Sequence, residues 1–246
     1  MQTKSSQVPR LYVEHPLAAG RSFDATPEQA NYLLNVLRLK ADAEVKVFNG
    51  RDGEWLARIT ETGKRRCALQ CEASTRPQAT APDIHYLFAP LKHARLDYMV
   101  QKATEMGAAK LQPVLTRRTI VARVNEERMR ANAIEAAEQC NILWVPETAE
   151  PKRLAQVLAE WDGERRLIFC DEAASVASPL AALSELVPGP LAVLIGPEGG
   201  FDPEERAALR AAPFTVAISL GPRIMRADTA AVAALALVNA ALGDWR

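Results

Sequence analysis

Two glycine-rich stretches in the C-terminal part of the chain carry the residue types best suited to chemistry. The first follows the apolar run Leu191–Ile195 and reads Gly196-Pro197-Glu198-Gly199-Gly200. Glycine lacks a Cβ atom and adopts positive φ readily, so a ligand can approach the main chain closely there. Such a loop can bind a flat adenine or a ribose through backbone atoms, although a tight structural turn explains it equally well. It has neither the Gly-Lys-Ser/Thr of a phosphate-binding loop nor a Gly-x-Gly-x-x-Gly dinucleotide fingerprint.

The second stretch follows the apolar run Phe214–Ile218 and places Arg223, Arg226 and Asp228 at the start of a helix. Cations at a helix N-terminus oppose the helix dipole, so helix stability does not account for the two arginines. A bound anion or a reacting group would account for them. The helix itself, Ala230–Leu242, has almost no polar face, which predicts burial on all sides, either in its own core or at a subunit interface.

The elements that position these loops alternate between strands and helices. Helical segments are predicted near Leu96–Met106 and Glu126–Cys140, and Asp202, Pro203 and Glu205 predict a further helix start with a capping box. This alternation is typical of a parallel α/β sheet, in which ligands bind at the carboxyl ends of the strands. The predicted strands are Ile84–Ala89, Leu111–Leu115, Leu167–Cys170, Leu191–Ile195 and Phe214–Leu220.

The N-terminal part has a different pattern. Thr26, Pro27 and Gln29 predict a capped helix that runs to about Leu39. Short strand-like runs separated by glycine-containing turns follow, and they favour a small β-rich domain, a barrel. These runs are Val45–Phe48, Trp55–Ile59 and Cys67–Cys71. The Ser-, Thr- and Pro-containing stretch Ser74–Pro82 is interpreted as a domain linker.

Charge is unevenly distributed along a chain of zero net charge. Residues 1–130 hold 21 Lys and Arg against 14 Asp and Glu, whereas residues 131–246 hold 9 against 16, giving +7 and −7. Such an asymmetry can attract a polyanion to one part of the molecule, although a solvated basic face without a partner shows the same pattern.

Composition argues against several other classes of protein. No apolar run approaches the ~20 residues that span a bilayer, and the polar segment Met1–Arg10 has no feature of an export signal, so a cytoplasmic protein is predicted. The four cysteines form no Cys-x-x-Cys pair and the chain has three histidines. We therefore expect no metal site.

Several motifs, in order along nearly the whole chain, resemble those of the ribosomal RNA small subunit methyltransferase E family, whose members methylate N3 of a uridine in 16S ribosomal RNA. The two C-terminal loops, Ile195–Phe201 and Leu220–Ala230, are similar to the signature loops of that family. Further similar segments are Val36-Leu37-Arg38, Val47-Phe48-Asn49-Gly50, Lys92 with Arg95, Gln101–Gly107 and Glu138-Gln139-Cys140.

The resemblance implies an α/β protein with an N-terminal PUA-like β-barrel for RNA over residues 1–76 and a SPOUT methyltransferase domain over residues 82–246. It also implies a C-terminal trefoil knot and a homodimer formed through the knotted domain. The knot is implied by the resemblance alone, since chains as a rule do not knot. The implied cofactor is S-adenosyl-L-methionine, and the implied partner is small-subunit ribosomal RNA, free or within the assembled subunit.

The resemblance also implies roles for individual residues. Arg226 is expected to orient the uracil or stabilise its negative charge. Glu198 and Asp228 are candidate proton acceptors, with a structural role as the alternative. The cofactor-binding residues, together with the loop after Cys170, are Ile195, Gly196, Pro197, Glu198, Gly199, Gly200, Leu220, Gly221, Ile224, Met225, Arg226 and Thr229. The expected RNA contacts are Arg38, Lys92, Arg95, Lys102, Arg223 and the turn Lys64–Arg66.

Two departures from the family pattern keep alternatives open. Asp228 stands where relatives usually carry Glu, and Asn141-Ile142-Leu143 stands where they carry an Arg. The alternatives are a related knotted methyltransferase that acts on another RNA position, such as a ribose 2′-oxygen in transfer RNA, and an inert RNA-binding assembly factor. The N-terminal barrel and Val36-Leu37-Arg38 favour the uridine N3 enzymes.

Overall fold

The computed structural model describes residues 8–63, 66–121, 123–174 and 178–245. By its contacts the described chain divides into two compact units. The first contains the described residues up to Thr80 together with Ala137–Trp144, and the second contains Ala81–Ala136 and the described residues from Val145 onward. No helix in these ranges is both long and apolar enough to cross a membrane.

A five-stranded sheet forms the first unit. Its strands are β1 (Arg10–Tyr12), β2 (Ser22–Asp24), β3 (Glu44–Phe48), β4 (Glu54–Thr62) and β5 (Cys67–Arg76). They lie in the order β1-β3-β4-β5-β2, with β1 parallel to β3 and the other pairs antiparallel. Alternate residues such as Val45, Ile59 and Leu69 are fully buried and form one apolar core. The sequence predicted β3, β4 and β5 but not the short strands β1 and β2.

The helix α1 (Pro27–Asn31) begins as predicted, because Gln29 N–H donates to Thr26 Oγ1 at 3.2 Å and Thr26 N–H donates to Gln29 Oε1 at 3.0 Å. Its predicted end near Leu39 is wrong. The chain continues as one π-helical stretch, Tyr32–Val36, and then stops. Arg38 adopts φ of 57°, a left-handed conformation that cannot continue a right-handed helix.

A buried ion pair ties the segment Ala137–Trp144 to the sheet of the first unit. Arg10 Nε donates to Glu54 Oε2 at 2.8 Å, and the two side chains are 6% and 0% exposed. The remaining guanidinium nitrogens donate to the carbonyls of Ala137, Glu138 and Ile142 at 2.7–3.0 Å. The sequence placed the domain boundary at the Ser74–Pro82 linker and did not anticipate that a later segment joins the first unit.

The second unit alternates strands with helices. Its strands are β6 (Ile84–Phe88), β7 (Lys110–Leu115), β8 (Glu147–Thr148), β9 (Lys152–Arg153), β10 (Arg166–Cys170), β11 (Leu191–Ile195) and β12 (Thr215–Ile218). The helices are α2 (His93–Glu105), α3 (Glu126–Gln139), α4 (Leu154–Ala159), α5 (Pro179–Ser184), α6 (Pro203–Ala211) and α7 (Ala227–Ala241). The last residues of α3 belong to the first unit.

The predicted parallel sheet is confirmed. The strand order is β12-β10-β11-β6-β7-β8, with β9 paired to the end of β7, and every pair is parallel. All five residues of β11 are buried, because Val193 faces a core that includes α2 and α7 while Leu194 faces a second core that includes α4 and α6. The loops after β10, β11 and β12 therefore leave three neighbouring strands at one edge.

The last helix, α7, is buried along one face only. Ala231, Leu235 and Val238 are buried in the core, and the Asn239 amide donates to Met106 O at 2.8 Å. The opposite face, which includes Leu237, stays partly exposed. The expectation of burial on all sides is therefore not met within this chain, because the sheet covers only one side of a helix.

Candidate functional site: a cavity at the carboxyl edge of the parallel sheet

A cavity of about 260 Å³ lies where the loops after β10, β11 and β12 meet. The carboxyl ends of neighbouring parallel strands are the usual binding edge of an α/β sheet. The lining residues are Cys170, Asp171, Glu172, Ile195, Gly196, Pro197, Glu198, Gly200, Phe201, Arg206, Leu220, Gly221, Arg223, Ile224, Met225, Arg226, Ala227 and Ala230. The two predicted glycine loops thus meet at one site.

The loop after β11 is shaped by Gly196 and Gly200. A Cβ atom at Gly196 would overlap the ring of Phe201, which is buried and stands edge-on to Phe169 with ring centroids 5.0 Å apart. Gly200 has φ of +69°, which favours glycine. The loop ends where α6 begins with the predicted capping box of Asp202 and Glu205. The glycines therefore have a packing role, and they also expose the main chain to the cavity.

The loop after β10 is held by two arginines of α6. The buried carboxylate of Asp171 accepts from Arg210 Nε at 2.8 Å and lies 3.3 Å from Arg206 Nε, while Glu172 accepts from Arg206 Nη2 at 3.0 Å. The sequence pointed to this loop but named none of these residues. Their signal was an Asp-Glu pair directly after a buried strand. Burial raises the pKa of the neighbouring Cys170 thiol to about 12, so that thiol is neutral at pH 7.

The loop after β12 leaves both backbone and side-chain groups available. Gly221 has φ of +105°, and within the described chain the backbone groups of Leu220, Ile224 and Met225 form no hydrogen bonds. The Ile224 side chain is 97% exposed. Unpaired donors and acceptors around a cavity are the arrangement needed to bind a ligand through the main chain.

Arg223 and Arg226 line the cavity without a carboxylate partner. Both side chains are exposed, and neither forms an ion pair with any residue in the described ranges. Arg226 is the N-cap residue of α7 and makes no side-chain capping bond. Because a cation at this position opposes the helix dipole, the site presents uncompensated positive charge to whatever enters the cavity.

The carboxylates of Glu198 and Asp228 pair with Arg95 of α2, not with Arg226. Arg95 Nε and Nη2 donate to the two oxygens of Asp228 at 3.0 and 3.2 Å, and Arg95 Nη1 pairs with Glu198. The hydrogen bonds from Arg95 lower the pKa of Asp228 below its ordinary range. In this structure both carboxylates are therefore engaged by Arg95, and Asp228 also accepts the Thr229 N–H.

Most predicted cofactor contacts line the cavity, and two do not. Gly199 faces Arg118, whose Nη1 donates to its carbonyl at 2.9 Å, and Thr229 is exposed with its N–H bound to Asp228 at 2.9 Å. Asp228 likewise does not line the cavity, while Glu198 does.

The predicted RNA contacts do not form one cluster. Arg38 is exposed on the first unit, and Lys92 is the exposed N-cap of α2 beside a second, shallow cavity of about 20 Å³. Lys102 pairs with Glu105 at 2.8 Å. Arg95 is engaged by two carboxylates, whereas Arg223 lies at the main cavity. Lys64 and Arg65 of the predicted basic turn lie outside the described residues.

Two family models match the chain. The RNA methyltransferase domain matches residues 78–239, and the RNA methyltransferase PUA domain matches residues 25–70. The first covers the parallel sheet and all three loops of the cavity, and the second covers α1 and most of the sheet of the first unit. The structure therefore assigns the cavity to the part of the chain that resembles a methyltransferase.

Relatives resemble this chain in sequence and in structure over nearly its whole length. Ribosomal RNA small subunit methyltransferase E from Rickettsia conorii is 32% identical over 231 residues, which cover 94% of both chains. The enzyme of that name from Neisseria gonorrhoeae, solved with S-adenosyl methionine, has a TM-score of 0.83 at 27% identity, covering 98% of this chain and 100% of that one. A putative methyltransferase from Legionella pneumophila, solved with the bound cofactor SAM, has a TM-score of 0.84 at 28% identity, with 96% and 98% covered. The chain belongs to the ribosomal RNA small subunit methyltransferase E family.

Proposed function

We propose that this protein transfers a methyl group from S-adenosyl-L-methionine to N3 of a specific uridine in 16S ribosomal RNA. One observation carries the proposal: three loops at neighbouring strand ends line a cavity where, among the described residues, backbone groups of the loop after β12 and the cation Arg226 have no partner. Relatives that share 27–28% identity over nearly the whole chain were solved with this cofactor.

The residues present fit S-adenosyl-L-methionine. Its flat adenine and its ribose carry polar groups that backbone N–H and C=O groups can bind, and within the described chain Leu220, Ile224 and Met225 have such groups unpaired. Apolar side chains of Ile195 and Ala230 line the same cavity. When bound, the cofactor supplies an electrophilic methyl group on its sulfonium sulfur. We assign the remaining contacts to the loop residues Gly196, Pro197, Glu198, Gly200, Gly221 and Arg226, with Gly199 and Thr229 outside the cavity wall.

Arg226 is the proposed catalytic residue. Methylation at N3 requires loss of the N3 proton, which leaves negative charge on the uracil ring and its carbonyl oxygens. A preorganised cation beside that charge stabilises it, and removal of one such group commonly lowers kcat by about 10²–10³. The guanidinium of Arg226 has no carboxylate partner in the described chain, so it is available for this role.

The two candidate proton acceptors are not equivalent. Asp228 is bound by Arg95 through two hydrogen bonds, and its pKa is lowered, which makes it a weak base near neutral pH. Glu198 lines the cavity, with its side chain 49% exposed. Both carboxylates pair with Arg95, but Glu198 lines the cavity and Asp228 does not, so Glu198 is the better placed proton acceptor and Asp228 acts in support of Arg95.

The RNA is proposed to bind through phosphate contacts and to present an unstacked base. The PUA-like first unit, with Arg38, and the cations Lys92, Lys102 and Arg223 of the second unit supply the positive charge. Such contacts give affinity without choosing the base. Because the cavity is lined by three loops, a uridine must be extruded from its stack or already unpaired to enter it.

We further propose that the first unit closes as a barrel, that the loops around the cavity belong to a C-terminal trefoil knot, and that the protein is a homodimer in the cytoplasm, where ribosomes are assembled. The partly exposed apolar face of α7, which includes Leu237, supports the dimer because one helix face is left for a second subunit to cover. Sedimentation equilibrium measures the mass directly, and a monomer at micromolar concentration contradicts the dimer.

The testing experiment is methyl transfer from labelled S-adenosyl-L-methionine to small ribosomal subunits that lack the modification, followed by nucleoside analysis. We expect N3-methyluridine with the wild-type protein and a loss of about 10²-fold or more in kcat with Arg226→Ala. Arg153→Ala is the matched control, because Arg153 is also an exposed N-cap arginine with extended φ and ψ, and it lies outside the cavity.

Three other outcomes would change the proposal. A different methylated nucleoside moves the protein to a related reaction, such as ribose 2′-oxygen methylation. If the protein binds the cofactor but transfers no methyl group to small subunits, the proposed substrate is wrong. If it binds RNA but not the cofactor, it is an assembly factor that has kept the fold. Equal loss of activity in Arg153→Ala and Arg226→Ala removes the assigned role of Arg226.

A further inference from the structure

We propose that Arg95 is a positioning residue that fastens the loop after β11 to the start of α7 and so holds the cavity in its binding shape. The inference rests on the proposed function, and it replaces the expected RNA-phosphate contact of Arg95. Its guanidinium pairs with Glu198 of that loop and with Asp228 in the first turn of α7 at the same time. One side chain on α2 thus contacts both of the chain segments that carry the proposed cofactor contacts.

The place of Arg95 in α2 supports this role. It lies in the first turn of a helix that has no acidic residue there, where its charge opposes the helix dipole. Helix stability therefore does not account for an arginine at this position. The two carboxylates do account for it, because they compensate the cation and use three of its N–H groups.

Few other hydrogen bonds or ion pairs hold these loops in the described part of the chain. Within the described residues, the part of the loop after β11 that lines the cavity, Gly196–Phe201, has one internal backbone bond, from Gly200 N–H to Pro197 O at 2.9 Å. Apart from Arg95, the side chain that bonds to it is Arg118, which donates to Gly199 O; Arg117 and Glu205 hold Asp202 at the loop's end. The loop after β12 has one internal bond, from Gly221 N–H to the Ser219 hydroxyl at 3.3 Å. Among the ion pairs of the described residues, those of Arg95 connect both segments to the same side chain.

The partial exposure of this cluster predicts that loss of Arg95 affects cofactor binding more than global stability. The side chains of Arg95, Glu198 and Asp228 are 30%, 49% and 17% exposed, and exposed ion pairs add little to global stability. Loss of Arg95 should instead let the two loops move relative to each other. Since binding then requires the loops to be ordered first, the affinity for the cofactor falls.

The experiment compares Arg95→Gln and Arg95→Lys with the wild-type protein and with Arg128→Gln. The last is the matched control, because Arg128 also forms a two-pronged pair with an aspartate of α2, Asp97, but lies outside the cavity. For each protein, calorimetry gives the Kd for S-adenosyl-L-methionine without RNA, and steady-state assays on unmodified small subunits give kcat and KM for the RNA. Thermal unfolding is measured alongside.

We expect Arg95→Gln to raise the cofactor Kd about tenfold, which corresponds to a loss of about 1.4 kcal/mol in binding free energy. The melting temperature and the KM for RNA should change little. Arg95→Lys keeps the charge and should recover most of the affinity, and Arg128→Gln should match the wild type. Adding Asp228→Asn to Arg95→Gln should produce no further loss, because the pair is already broken.

An unchanged cofactor Kd in Arg95→Gln overturns the inference. If the KM for RNA rises while the cofactor Kd is unchanged, Arg95 contacts an RNA phosphate, as the sequence predicted. An equal fall in affinity for Arg128→Gln makes the effect one of general stability, which also overturns it. If the wild-type protein binds cofactor but methylates no small subunit, the substrate proposal fails while the Kd comparison still tests Arg95.

Discussion

Two arginine–carboxylate clusters use the same chemistry in different surroundings. In the first unit, Arg10 and Glu54 are 6% and 0% exposed, and every guanidinium nitrogen of Arg10 has a partner. In the second unit, Arg95 pairs with Glu198 and Asp228 beside the cavity, with all three side chains partly exposed. The first cluster is buried, and its charged groups are satisfied by hydrogen bonds to backbone and side-chain atoms. The second lies next to the loop after β12, where, within the described residues, several backbone groups and the side chains of Arg223 and Arg226 have no partner.

The difference shows that an ion pair's surroundings, not its chemistry, decide what it does. Breaking a buried pair leaves a desolvated charge, so the first cluster should matter mainly for the free energy of unfolding. A half-exposed pair is screened by water and contributes little to that free energy. It can still fix the position of two loops, so the second cluster should matter mainly for binding.

The largest expected effect is that of Glu54→Ala. Loss of this carboxylate leaves Arg10 buried without its counter-charge and leaves the Thr75 hydroxyl without one acceptor. We expect the free energy of unfolding to fall by about 3–5 kcal/mol, as measured by urea denaturation. Glu72→Ala is the control, because Glu72 pairs with Arg58 at the surface. A similar loss in both variants would contradict the distinction between the clusters.

Gly196→Ala tests whether the second site depends on packing beneath its loop as well as on ion pairs. The added Cβ would lie 2.9 Å from two atoms of the buried Phe201 ring, which cannot move without disturbing Phe169. We expect a loss of about 1–3 kcal/mol in unfolding free energy, together with weaker cofactor binding. Gly189→Ala serves as the control, since no atom lies within 4 Å of a Cβ there. Unchanged stability and binding would show that the loop adapts freely.

Arg95→Gln should change the free energy of unfolding by less than about 1 kcal/mol, the opposite of the Glu54 result. The reason is that water replaces the lost hydrogen bonds of the partly exposed carboxylates. Urea denaturation of the same variant used for cofactor binding makes the comparison direct. A loss of several kcal/mol in the free energy of unfolding would show that this cluster stabilises the fold as the buried cluster does.

The smallest expected effect is a change in the titration of Asp228. Hydrogen bonds from Arg95 lower its pKa, so the pair stabilises the fold above the ordinary aspartate pKa, and this contribution is lost as the pH falls through the lowered value. Carbon-13 NMR of the carboxyl group should show that pKa rising toward its ordinary range in Arg95→Gln. Asp52, whose pKa is lowered mainly by the Leu17 N–H in the first unit, should be unaffected. No shift at Asp228 would contradict the pairing.

The sequence was informative where the cause is local. Capping boxes at Thr26 and Asp202 were predicted and confirmed, since each depends on residues three apart. The continuous apolar runs predicted the parallel strands, because a strand buried on both faces needs them. The end of the first helix was missed, because an arginine gives no indication of the left-handed conformation that Arg38 adopts. Strands β1 and β2 were missed because three residues give too short a pattern.

By itself the sequence determined the fold class, the family resemblance and the two glycine loops of the candidate site. Only the tertiary structure decided which charges meet. Arg95 lies 103 residues before Glu198 and 133 before Asp228, and Arg10 lies 44 before Glu54. A pairing over such distances depends on strand order and on the packing of helices against the sheet, and no local pattern of residues encodes it. The sequence therefore specified the candidate groups, and the fold assigned their partners.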